Sequence, residues 1–186
     1  MKWYFAINER GTSTEAADLA RFAVRSAARI PGLRPHLLYL GQRNDFTAWM
    51  EAAGVTVLDI VPSYIDAIQA AIAAGWYPET LTGHWLRTEI CNVETEDEVV
   101  LYTDIDIVFL ASPGLDGVRP RFFACAPESR ADDWSSFNSG VMLMNMDTLR
   151  RDYAGLREHI VGRFRNPTGQ IFNDQHIFNE YYAARW

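Results

Sequence analysis

The stretch Val99-Val100-Leu101-Tyr102-Thr103-Asp104-Ile105-Asp106-Ile107-Val108-Phe109 constrains the fold more than any other part of the chain. It opens as an unbroken apolar run, the pattern of a strand covered on both faces, and such strands belong inside parallel sheets. Apolar strand-like runs alternate with helical patterns along the chain. That alternation predicts an α/β domain with a mostly parallel sheet flanked by helices. The stretch also carries two carboxylates at i and i+2. In extended chain alternate side chains share a face, so Asp104 and Asp106 are expected to point the same way. Like charges in apolar surroundings are costly, and a hard divalent cation relieves the cost by taking oxygen ligands from both. The plainer alternative is a strand end with two solvated carboxylates.

The other elements follow from local signals. Trp3 to Ile7 reads as a first strand. Thr12 and Glu15 have capping-box spacing, so a helix is expected there with Leu19, Phe22, Ala23 and Ser26 on its inner face and Pro31-Gly32 as its stop. His36 to Leu40 and Val55 to Val61 read as strands around a short helix, Asp45 to Ala53, capped by Gly54. Helices are expected over Tyr64 to Ala74, ending at Gly75, and over Leu81 to Val93. Strands are expected at Arg121 to Ala126 and Val141 to Met144, with Phe137-Asn138-Ser139-Gly140 as the lead-in. Asp147 to Phe164 and Asn173 to Tyr182 read as helices. In such sheets ligands bind beyond the carboxyl ends of the strands, which is where the chemistry-bearing residues fall.

Composition narrows the function. The chain has 186 residues, and 1–186 reads as one domain. Its formal charge of -7 and the lack of a basic cluster argue against a nucleic-acid partner and against docking on anionic lipid. Cys91 and Cys125 are far apart, which suits buried thiols in a reducing compartment. The apolar run after Met1 is too short for a signal peptide, and no stretch reaches the length of a membrane span. The expectation is a soluble, cytoplasmic protein.

Further segments and single residues bear on chemistry. Phe137-Asn138-Ser139-Gly140-Val141-Met142-Leu143-Met144-Asn145 combines neutral hydrogen-bonding side chains with a glycine that admits close approach of a ligand. A turn leading into a core strand would explain Gly140 alone. Asp174-Gln175-His176-Ile177-Phe178-Asn179 reads equally as a helix N-terminus, where unpaired amides favour Asp. Arg87 carries a guanidinium suited to planar multidentate contacts, although an ordinary surface arginine is the plain reading. Asn8 ends the first strand, where asparagine is also a routine turn former. Trp134, Asp132 and Asp133 fall in a polar loop just before that strand, where they would line a ligand site or simply be exposed.

Taken together these segments resemble family 8 glycosyltransferases. The Phe-Asn-Ser-Gly strand is similar to that family's signature, and Asp174-Gln175 resembles its Asp-Gln segment and the Asp-Gln-x-x-Phe-Asn of the related family 77. Order and spacing match from about Trp3 to Tyr182. The resemblance implies a GT-A fold and a metal-dependent, retaining transfer of a sugar from a UDP-sugar donor to an acceptor hydroxyl. It implies Mn2+ or Mg2+ on Asp104 and Asp106. Donor contacts would come from Asn8, Arg87, Asp104, Asp106, Asn138, Ser139 and Gly140, with Gln175 and Asp174 beside the anomeric carbon. Family 8 chains usually carry a C-terminal His-x-x-Gly-x-x-Lys-Pro-Trp segment that supplies a third metal ligand. No such segment occurs here, and none of His36, His84, His159 and His176 sits in that context. Two alternatives stand beside the transferase: a nucleotide-sugar-binding module without turnover, and a haloacid-dehalogenase-type phosphatase. The phosphatase needs a lysine after its Asp-x-Asp motif, and Lys2 is the only lysine.

Overall fold

The structure is a computed structural model that describes residues 1–167 and 169–183. Six strands form one sheet: β1 (Lys2–Asn8), β2 (Arg34–Leu40), β3 (Thr56–Asp59), β4 (Val99–Thr103), β5 (Phe123–Pro127) and β6 (Phe137–Asn145). Their order is β3-β2-β1-β4-β6-β5. The first four strands are parallel, while β6 runs against both β4 and β5. Six α-helices accompany them: α1 (Glu15–Ala27), α2 (Asp45–Ala52), α3 (Ile65–Ala73), α4 (Ile90–Val93), α5 (Met146–Arg165) and α6 (Asp174–Tyr181). Two 3-10 segments, Glu9–Ser13 and Glu79–Glu89, complete the elements among the described residues.

Strand alternation sorts the core into two layers. Trp3, Phe5, Ile7, Leu37, Tyr39 and Leu101 face α1 and α2. Tyr4, Leu38, Val100, Tyr102, Met142 and Met144 face the other side, where α3, α5, α6 and Trp85 cover them. Every residue of β4 is buried, as its continuous apolar run requires.

Four local expectations need correction. The cap of α1 is Thr14, whose hydroxyl accepts from the Ala16 amide at 3.2 Å; Thr12 belongs to the preceding 3-10 turn. The buried face of α1 is Ala17, Ala20, Ala23, Val24 and Ala27, whereas Leu19 and Phe22 are exposed. Small side chains let this helix lie close on the bulky Trp3-Phe5-Ile7 surface, so packing overrides hydrophobicity. Residues 79–89 are 3-10 and only Ile90–Val93 is α-helical. The hydroxyls of Thr82 and Thr88 donate back to the carbonyls of Glu79 and Trp85, each at 2.8 Å, and support the tighter turn. Finally, Phe137-Asn138-Ser139-Gly140 is the start of β6 itself and not a lead-in to it.

At the amino ends of the strands, Glu94 closes the sheet. Its buried carboxylate accepts from Tyr4 Oη at 2.6 Å, Lys2 Nζ at 2.9 Å and the amides of Glu96 and Asp97 at 2.7 and 2.9 Å. Burial pushes this carboxyl up, but those hydrogen bonds outweigh burial and draw it down to about 2. Among the described residues no helix is long and apolar enough to cross a membrane.

Candidate active site

At the opposite, carboxyl end of the strands lies a cavity of about 370 Å³. Asn8 from the end of β1, Arg87 from the 3-10 segment, Asp104 and Asp106 after β4, Ser139 from β6, and Asp174 and Gln175 from α6 all line it. Seven of the nine residues singled out from the sequence therefore converge, although they come from five parts of the chain. Asn138 and Gly140 stand just outside the lining.

The two carboxylates after β4 converge by a different route from the one alternation suggests. β4 ends at Thr103, and the Asp104 amide donates to Gly140 O at 2.7 Å as the last rung. Beyond that point the ladder between β4 and β6 ends, β6 keeps only its pairing with β5 on its other edge, and the chain after β4 bends at Ile105-Asp106. Asp104 and Asp106 therefore reach one cavity from a bend past the end of the ladder and not from one face of a strand. Asp106 is exposed and Asp104 half-buried. Gly140 makes room for Asp104: a Cβ there would stand 3.0 Å from Asp104 Oδ2 and 2.9 Å from Asn138 Oδ1.

Arg87 is the centre of the electrostatics. Its guanidinium is buried, lies 4.3 Å from the Tyr102 ring centroid, and donates to Asp104 Oδ1 at 2.8 Å and to the Ser139 carbonyl. Its Nε forms an ion pair with Asp174 Oδ2, by proximity and without hydrogen-bond alignment. Burial opposes the charge on Arg87, and Asp174, Tyr102 and Asp104 restore it. Burial likewise pushes the Asp174 carboxyl up, against the pull of Arg87 and His84. His84, with Nδ1 3.7 Å from Asp174 Oδ1, lines the same cavity. Arg87 is thus no ordinary surface arginine.

The amides in the site are also committed. Asn8 Oδ1 accepts from the Gly11 amide at 3.0 Å and its Nδ2 donates to Thr82 Oγ1 at 2.8 Å, so Asn8 is both turn former and cavity wall. Gln175 Oε1 accepts from Ser139 N at 2.9 Å and Ser139 Oγ at 3.2 Å, and its Nε2 donates to Glu128 at 2.9 Å. Glu128, His84 and Tyr102 are the participants that sequence reading missed. Lys2 is held by Glu94 and Glu96 at the far end of β1, so no lysine serves Asp104 or Asp106 and the phosphatase reading falls. Trp134, Asp132 and Asp133 are exposed in the loop joining β5 to β6, outside the cavity.

No protein-family model matches the sequence, and no curated protein does either. Solved structures do match. The galactosyltransferase LgtC, in complex with donor and acceptor sugar analogs, superposes with a TM-score of 0.71 at 19% identity, over 98% of this chain and 70% of that one. An active-site glutamine-to-glutamate mutant of LgtC gives a TM-score of 0.70 at 19% identity, with the same coverage. The apo glycosyltransferase GlyE of Streptococcus pneumoniae gives 0.64 at 17% identity, over 100% of this chain and 44% of that one. Mouse xyloside xylosyltransferase 1 gives 0.59 at 14%, over 99% and 81%. At these identities the likeness establishes the fold, which is the GT-A fold of glycosyltransferases.

Proposed function

We propose that this chain is a metal-dependent, retaining glycosyltransferase that moves a sugar from a UDP-sugar donor to an acceptor hydroxyl. The observation that carries the reading is the convergence of Asn8, Arg87, Asp104, Asp106, Ser139, Asp174 and Gln175 on one cavity at the carboxyl end of the sheet. An active-site glutamine in LgtC supports giving Gln175 a place at the reacting centre.

The residues divide the work by chemistry. Asn8 keeps a second Nδ2 hydrogen for the nucleoside, since its amide is otherwise occupied by Gly11 and Thr82. Arg87 is neutralised by Asp104 and Asp174, so its task is to hold both carboxylates in place and not to offer free positive charge. Asp174, buried beside Arg87 and His84, supplies an oxygen for sugar hydroxyls. Gln175 presents a neutral amide where positive charge develops at the anomeric carbon. No paired-carboxylate nucleophile is evident, so front-side attack with the leaving phosphate as base is the mechanism adopted.

Asp104 and Asp106 fit a hard divalent ion, Mn2+ or Mg2+, by donor chemistry. Among the described residues no group of three metal-ligating side chains gathers, so phosphate oxygens and water would complete the shell. When bound, such an ion neutralises charge on the departing diphosphate. One oxygen of Asp104 is already paired with Arg87, which favours a nucleotide-sugar-binding module without turnover as the second reading.

Calorimetry of UDP binding tests the donor site, with and without manganese, on the native chain and on D104A/D106A. Metal-dependent binding that weakens by at least about tenfold in the variant is expected. Equal binding by both proteins would remove these carboxylates from the site. Release of UDP from UDP-sugars separates the transferase from the binding module.

A further inference from the structure

Glu128 follows β5 directly, and its amide donates to Ser136 O at 3.0 Å, which sets it at the base of the loop leading into β6. Its Oε2 accepts from Asn138 Nδ2 at 3.1 Å and from Gln175 Nε2 at 2.9 Å. The oxygens of the same two amides accept from consecutive backbone amides of β6: Asn138 Oδ1 from Gly140 N at 2.8 Å, and Gln175 Oε1 from Ser139 N at 2.9 Å. A backbone N–H only donates and an ionised carboxylate only accepts. Each amide is therefore fixed in one orientation, oxygen toward β6 and NH2 toward Glu128.

Gln175 needs this support. It forms the wall between the candidate active site and a second cleft of about 410 Å³, lined also by Glu128, Ser136, His176 and Asn179. Its NH2 faces that open cleft, and Glu128 alone among the described residues takes a hydrogen bond from it. A charge-assisted bond to the NH2 group also draws electron density onto the amide oxygen, since the two ends of an amide are conjugated.

We propose that Glu128 is a positioning residue that holds Gln175, with Asn138, in the orientation and polarisation the reaction requires. The kinetic consequence rests on the transferase reading; the structural hold does not. Replacing Glu128 by glutamine keeps the shape but puts an amide where two NH2 groups converge, and replacing it by alanine removes the partner altogether. Glu128 is exposed, so both variants are expected to fold with unchanged Tm.

Two readouts are taken on the native chain, E128Q and E128A. The first is release of UDP from UDP-sugar with manganese. kcat is expected to fall by about tenfold or more while KM for the donor stays within about twofold, the split for a group acting only in the transition state. The second is the side-chain NH2 resonance pair of Gln175, assigned with Q175E. It is expected to be sharp in the native chain and shifted and broadened in both variants. Unchanged kcat, or a fall in kcat matched by a fall in Tm, would overturn the proposal. If the native chain shows no turnover, the transferase reading fails, and the amide spectrum decides Glu128 by itself: identical Gln175 resonances in all three proteins would overturn it.

Discussion

At the scale of single residues, the site is a set of close fits around one buried guanidinium. Gly140 shows how little slack there is. Its backbone needs no left-handed conformation, so what the position requires is absence of a side chain. A methyl group at Gly140→Ala would press on Asp104 Oδ2 and Asn138 Oδ1. Asn138 is exposed and can swing aside, whereas Asp104 can move only by loosening its bond to Arg87. The expected result is a protein that folds, with UDP-manganese affinity reduced by about tenfold in a titration. Native affinity in G140A would show that Asp104 does not have to stay where it stands. Most residues of this kind were legible in the sequence because their chemistry sits in short contiguous motifs. Glu128 was not, because its role depends on which residues β5, β6 and α6 bring within reach of it.

At the scale of elements, two departures share a cause. Sequence patterning ranks side chains by hydrophobicity, but the sheet selects them by size and by the partners available. Alternation predicted that β4 would carry both carboxylates on one face, yet β4 stops at Thr103 and the chain bends at Ile105-Asp106. Hydrophobicity put Leu19 and Phe22 inside, yet alanines occupy the buried stripe of α1. Enlarging that stripe with Ala20→Leu should lower stability by about 1–3 kcal/mol through overpacking, while Phe22→Ser should change it by less than about 0.5 kcal/mol. Urea unfolding of both variants checks this, and the reverse ranking would restore the hydrophobic face. The element order, the parallel strands and the burial of β4 were all readable, because length and periodicity suffice for them.

At the scale of the whole molecule, the sheet has one end that is closed and one that is open. The closed end depends on Glu94. A carboxyl held at about 2, against an ordinary 4.5, contributes stability that is fully present above about pH 4.5 and is lost as pH falls toward 2. Glu94→Gln should therefore lose about 3 kcal/mol at pH 7 and show a flatter acid limb between those values in denaturant titrations. An unchanged acid limb would mean that other groups govern acid unfolding. The open end is assembled from distant parts of the chain: Arg87 reaches Ser139 across 52 residues, and Ser139 reaches Gln175 across a further 36. A ribosome delivers these pieces in order. Every described strand has been synthesised before Asp174 arrives, so a nascent chain has Arg87 made and Asp174, the largest contributor among its counter-charges, still missing. The counter-ion arrives with α6, the last helix described, and only then is the buried charge matched on both sides. The site is therefore the last part of the described structure to be assembled, after every described strand has been made.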